Sequence, residues 1–234
     1  MSLLESAKKR HQPSTWTDMP TGTEVVLVEL MGYTMEYKSV MSKVDLLLRF
    51  GSGPAKVVRV QNPYLWGCYL LKKAECVNRS GYSVTEMVLF HATGQSNIDS
   101  ITKNNLDWRR SVRTKFGCGV SFSPSATYAH TWCNRSAGYC RALIVARVLV
   151  GSSHDGDYDT KLPRLGYDTN SWKSWAGLYK VLWPRILPRA CFLLFGRSCV
   201  LIYCTFPYSW THAGWHYELH IMYIIKCILI DNTV

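Results

Sequence analysis

Met87-Val88-Leu89-Phe90 is an unbroken apolar run that stops on His91 and passes at once to the small residues Ala92 and Thr93. A run this short and apolar reads as a buried strand. It delivers a polar side chain at its end, where small neighbours leave the backbone open to a ligand. About thirty residues later comes Phe116-Gly117-Cys118-Gly119-Val120-Ser121-Phe122-Ser123. This is a glycine-hinged turn leading into a second short strand. The fold must therefore bury one strand while keeping its polar end accessible.

Other elements are spaced around these two segments. Glu24 to Leu30 is β-branched and strand-like. Met35, Met41, Val44, Leu47 and Leu48 recur at helical spacing, which predicts a helix ending near Gly51, with a turn to Pro54. Val57 to Gln61 alternates as a strand does. Asn62-Pro63 opens a helix, an Asn cap followed by Pro in the first turn, that runs to about Cys76. Ser96 is placed to cap a helix from Asn97 to about Asn104, and Ala126 to about Cys133 reads as another short helix. Arg141 to Val150 (RALIVARVLV) is the clearest strand of the chain, and Gly151 to Gly166 is polar and loop-like. Strands and helices mixed at this spacing predict an α+β fold. Residues 1–20 read as a polar tail and 21–234 as the folded domain.

The composition limits the function classes. At 47% apolar residues the chain can build a core, and its net charge of +11 suits an anionic partner, which leaves RNA open. The nine cysteines include no Cys-x-x-Cys pair, and the N-terminus carries no apolar signal-peptide core. Free thiols in a reducing compartment, nuclear or cytoplasmic, follow as the expectation. No apolar run reaches the roughly 18 residues of a membrane span. No metal is expected, since His130, Cys133 and Cys140 are the nearest set and lack ligand spacing.

Five segments in order carry a family resemblance. They are Gln61-Asn62-Pro63-Tyr64-Leu65-Trp66, Leu89-Phe90-His91-Ala92-Thr93, Asn105-Leu106-Asp107-Trp108-Arg109, Gly117 to Ser123, and Gly166-Tyr167-Asp168-Thr169. Together they resemble the catalytic domain of the poly(ADP-ribose) polymerase family (diphtheria-toxin-like ADP-ribosyltransferases), mono-ADP-ribosylating branch. The resemblance implies two packed antiparallel-rich sheets flanked by short helices around an NAD cleft. It also implies that ADP-ribose passes from NAD, as substrate, to protein acceptors, the chain itself included, with release of nicotinamide. Taken alone, His91 reads as a core histidine. The flanking segments turn it into a group bonding an NAD ribose hydroxyl, with the Ala92 backbone meeting the nicotinamide carboxamide and Thr93 beside it.

The chain departs from the family pattern at several points. Ser121 stands where the family has its catalytic tyrosine, and Ala129 where it has a serine. Trp132 aligns with the family's nicotinamide-stacking ring, near Tyr128, and is equally readable as core packing. In the segment His216 to Tyr223, Ile221 falls at the position that is glutamate in chain-elongating enzymes. Isoleucine accepts no proton, which implies transfer of single units. Between Thr169 and Tyr217 there is no Asp or Glu but five of the nine tryptophans. The stretch at about 172–210 reads either as a basic, aromatic lobe or as a mis-spliced insert, and Leu219 to Ile230 as a closing strand. Two functions stay open: a mono-ADP-ribosyltransferase, or a catalytically weak or inactive module binding NAD, ADP-ribose or RNA.

Overall fold

The computed structural model describes residues 12–44, 56–81, 84–112, 116–134 and 141–172, together with four short strands between 178 and 201. The strands are β1 (Val26–Leu30), β2 (Lys56–Gln61), β3 (Glu86–Gly94), β4 (Val120–Phe122), β5 (Arg141–Leu149), β6 (Ser153–Asp155), β7 (Thr169–Trp172), β8 (Leu178–Val181), β9 (Ile186–Leu187), β10 (Phe192–Phe195) and β11 (Val200–Leu201). The helices are α1 (Met35–Lys43), α2 (Pro63–Ser80), α3 (Ile98–Asn104) and α4 (Ala126–Thr131). The class is α+β, as the sequence predicts.

The strands form three small sheets, ordered β1-β2-β11, β10-β5-β3 with β9 also on β5, and β4-β8-β7-β6. Most pairs are antiparallel; β11 on β2 and β6 on β7 are parallel. Strands from the acid-free stretch thus join all three sheets. The closing strand expected at Leu219 to Ile230, and Ile221 within it, lie outside the described residues.

β5 explains how the layers stack. Ala142, Ile144, Ala146 and Val148 point into one apolar cluster with Leu89, Phe122, Val58 and Val60. Leu143 and Val145 point into a second cluster with Val40, Val57 and Phe90. Side chains alternate along a strand, so an unbroken apolar run is a strand covered on both faces. β3 lies antiparallel on β5 along its whole length, from Glu86 opposite Leu149 to Gly94 opposite Arg141.

Several local expectations change. α1 ends at Lys43 rather than near Gly51, because Val44 is extended at φ −85° and ψ 128°. In the last turn Ser42 Oγ and Lys43 Nζ both donate to the Ser39 carbonyl, and Val44 N donates to the Met41 carbonyl at the helix end. α2 runs on past Cys76 to Ser80 and stops at Gly81, whose φ of 71° suits glycine. Ser96 caps nothing; Gln95–Asn97 is a 3-10 turn, and Asn97 Nδ2 donates to Thr93 Oγ1 at 2.9 Å instead. Within the predicted loop from Gly151, β6 pairs with β7. The second half of the predicted tail is tied down. Trp16 packs on Trp66, Tyr69 and Leu149, and Gln61 Oε1 accepts from Thr17 N at 3.0 Å.

Charged groups fix the helices on the sheets. Arg59 of β2, buried, pairs with Glu36 of α1 at 2.8 Å. Glu86 of β3 accepts from Tyr69 Oη and from Lys73 Nζ of α2, and pairs with Arg147 of β5. Burial pushes the Glu86 carboxyl up, but the Tyr69 hydroxyl, Arg147 and Lys73 outweigh it and hold it below its ordinary value. Its stabilisation is therefore present above the unfolded value of about 4.3 and is lost as pH falls through the lower folded value. Glu86→Gln should lower stability by about 2 kcal/mol at pH 7. It should also flatten the acid side of the stability curve. Urea unfolding from pH 7 down to pH 3 checks both; parallel curves for the two proteins would refute the assignment.

Candidate functional site

Two backbone features place the site. Phe90 N donates to Ser123 O at 2.7 Å, and Ser123 N donates to Phe90 O at 2.9 Å. This isolated bridge joins β3 to the end of β4. Backbone groups alternate in direction along a strand, so the N–H and C=O of Ala92 point to the same side as those of Phe90, beyond the bridge. The glycine turn that feeds β4 is required by geometry. Gly117 has φ 98°, and a side chain there would meet Thr160 O at 2.8 Å.

At this edge lies a cavity of about 450 Å³, within the usual range of ligand sites. His91, Ala92, Thr93, Ser121, Tyr128, Ala129 and Trp132 all line it. The structure thus brings together every predicted site residue that falls within the described residues. Thr93 uses its hydroxyl to accept from Asn97, a structural bond.

The His91 ring is oriented by the main chain. Nδ1 lies 2.9 Å from the carbonyl oxygen of Ser121. A carbonyl only accepts, so Nδ1 carries the proton, and Nε2 is the accepting nitrogen of the neutral ring. Phe122 flanks the imidazole, ring centres 5.7 Å apart. Across the cavity α4 begins at Ser125, whose hydroxyl accepts from Tyr128 N. One helical turn separates Tyr128 from Trp132, and their rings sit 6.0 Å apart. Trp132 is 55% exposed. That decides against core packing, the alternative reading of this residue.

The cavity also has walls that the sequence reading did not single out: Ser96, Asn97, Arg110, Ser111, Val112, Phe116, Cys133 and Asn134. Arg110 and Ser111 follow directly on the Asn-Leu-Asp-Trp-Arg segment, which was a signal in reach. Among the described residues the lining contains no carboxylate, and no group of three potential metal ligands occurs. No helix among them is long and apolar enough to cross a membrane.

Comparison with known proteins places this geometry in a family. A model of the poly(ADP-ribose) polymerase catalytic domain matches residues 36–169, more than half of the chain. The mouse protein mono-ADP-ribosyltransferase PARP12 is 32% identical over 127 residues, covering 53% of this chain and 18% of that protein. The human protein mono-ADP-ribosyltransferase PARP14 is 28% identical over 155 residues, 64% of this chain and 8% of its own length. The mouse protein mono-ADP-ribosyltransferase PARP11 is 26% identical over 167 residues, 62% of this chain and 50% of its own. The chain therefore spans half or less of the length of these relatives. The family match ends at Thr169, where the acid-free stretch begins.

His130 lies on the helix that carries the aromatic wall. Burial, and then the nearby Arg141 charge, push its pKa down to about 4. Arg141 Nη1 also donates to the His130 carbonyl at 3.1 Å. The folded state keeps this ring neutral, while the unfolded chain protonates it near pH 6.5. Its contribution is complete above about pH 6.5 and is lost as pH falls toward about 4, up to about 3 kcal/mol in all. His130→Gln should remove this slope. Thermal melts at pH 7, 6, 5 and 4 test it, and an unchanged slope in the variant would count against the assignment.

Proposed function

Because the chain belongs to the poly(ADP-ribose) polymerase catalytic-domain family, we propose that it is an NAD-dependent protein mono-ADP-ribosyltransferase. It would transfer ADP-ribose to protein side chains, itself included, and release nicotinamide. The observation that carries this reading is the fixed imidazole. With Nδ1 bonded to the Ser121 carbonyl, Nε2 can accept from a ribose hydroxyl in one orientation. On the same cavity, the Ala92 N–H and C=O are a donor and acceptor pair for a carboxamide. Tyr128 and Trp132 offer aromatic faces for the nicotinamide ring.

The chemistry suits such a site. Breaking the nicotinamide–ribose bond builds positive charge on the ribose, so a rigid cleft that orients both halves lowers the barrier. Ile221 supports transfer of single units, since no proton acceptor stands at the elongating position. Cys68, Cys76, Cys118 and Cys133 carry thiols rather than disulfides, which fits a reducing compartment, nucleus or cytoplasm.

A second reading has its own observation. Ser121 and Ala129 put small side chains where the family pattern has tyrosine and serine. A module of this kind would bind NAD, ADP-ribose or, through its net charge of +11, RNA, with little or no turnover.

Incubation of purified protein with labelled NAD separates the readings. The enzyme reading expects single-unit self-labelling that His91→Ala lowers at least about tenfold. No label on folded protein would favour the binding module, and long chains would refute the role given to Ile221. Ser121→Tyr should raise labelling; an unchanged rate would place the limitation elsewhere.

A further inference from the structure

The cavity lining among the described residues holds one guanidinium, one imidazole and no carboxylate. The guanidinium is Arg110, one residue beyond the Asn-Leu-Asp-Trp-Arg segment that matches the family pattern. Two arginines sit side by side in the 3-10 turn Trp108–Arg110, and Asp107 tells them apart. Its Oδ1 accepts from Arg109 N at 3.0 Å and from Arg109 Nε at 2.9 Å, and its Oδ2 accepts from Arg109 Nη2 at 3.1 Å. Both carboxylate oxygens are thereby committed to Arg109. Arg110 is exposed and, among the described residues, no carboxylate pairs with it, although Asp107 feels its charge.

We propose that Arg110 anchors the phosphate groups of a nucleoside diphosphate bound in this cavity. A guanidinium presents a planar fork of donors that matches two phosphate oxygens, and charge-assisted bonds of this kind are the strong ones. The uncharged features of the site, Ala92, Tyr128 and Trp132, recognise rings and amides. His91 gives its Nδ1 proton to the Ser121 carbonyl and offers Nε2 as an acceptor. Among the described residues that leaves Arg110 as the guanidinium lining the cavity that can meet an anion. Arg109, equal in charge and adjacent in sequence, is neutralised by Asp107 and contributes nothing to ligand. The proposal rests on the nucleotide reading above and adds to it a residue that the family motif does not contain.

Calorimetric titration of the full chain with ADP-ribose, which carries two phosphates, and with nicotinamide, which carries none, tests it. Arg110→Gln should weaken ADP-ribose binding about ten- to a hundredfold, with nicotinamide binding unchanged. Arg109→Gln should leave both affinities as they are. Raising sodium chloride should weaken ADP-ribose binding to the unaltered chain more than to Arg110→Gln. Because Arg110 is exposed, its replacement should leave the melting temperature in place. An unaltered affinity in Arg110→Gln, an equal loss for both ligands, or a matching loss in Arg109→Gln would overturn the anchor alone. Failure of the folded, unaltered chain to bind either ligand would overturn the nucleotide reading and the anchor with it.

Discussion

The antiparallel ladder between β3 and β5 is the constraint from which the site follows. β5 is covered on both faces, so a slip of one residue would move every side chain to the wrong cluster. That fixes β3 opposite it and sets His91 against Ile144. Leu89 packs in the Phe122 cluster, and His91, two residues on, shares that face and meets the same ring. Among the described residues the other edge of β3 receives a single bridge, at Phe90, and no strand pairs with it past that point, where the cavity begins.

Charges then hold the outer layers in place. Arg59 and Glu36 tie α1 to β2, and Glu86 gathers groups from α2 and β5. Replacing such pairs whole by apolar groups changes stability little, whereas removing one partner leaves a buried charge uncompensated. Their value lies in geometry: an apolar helix face can slide on an apolar sheet, whereas a carboxylate with two or three fixed donors cannot. A similar argument applies to the turn before Arg110. Asn105, at φ 75°, bends the chain sharply after α3, and Asp107 then closes the turn around Arg109.

Much of this was legible in the sequence because it is local. The run ending at His91, the paired glycines at 117 and 119 and the cap at Asn62 each declare a conformation within a few residues. Tyr128, Ala129 and Trp132 follow a serine cap at helical spacing, so they reach one wall together. The unread parts depend on competition between neighbours. Ser96 has no capping role because a 3-10 turn over Gln95–Asn97 places Asn97 at the start of α3. Which of two arginines faces the cavity turns on where one carboxylate points, and spacing does not contain that. Trp16 lies in a polar run whose average hides one anchoring ring. α1 stops early because the backbone turns extended at Val44, a change that periodicity alone does not register.

The bond that orients His91 uses the main-chain oxygen of residue 121, not its side chain. Orientation of the imidazole is therefore independent of which amino acid occupies that position, provided β4 keeps its backbone path. One wall of the cavity can change in size and polarity while the ring opposite keeps its tautomer and its aim. Position 121 is thus a place where a change of side chain reshapes the cavity without disturbing the bond that aims the imidazole.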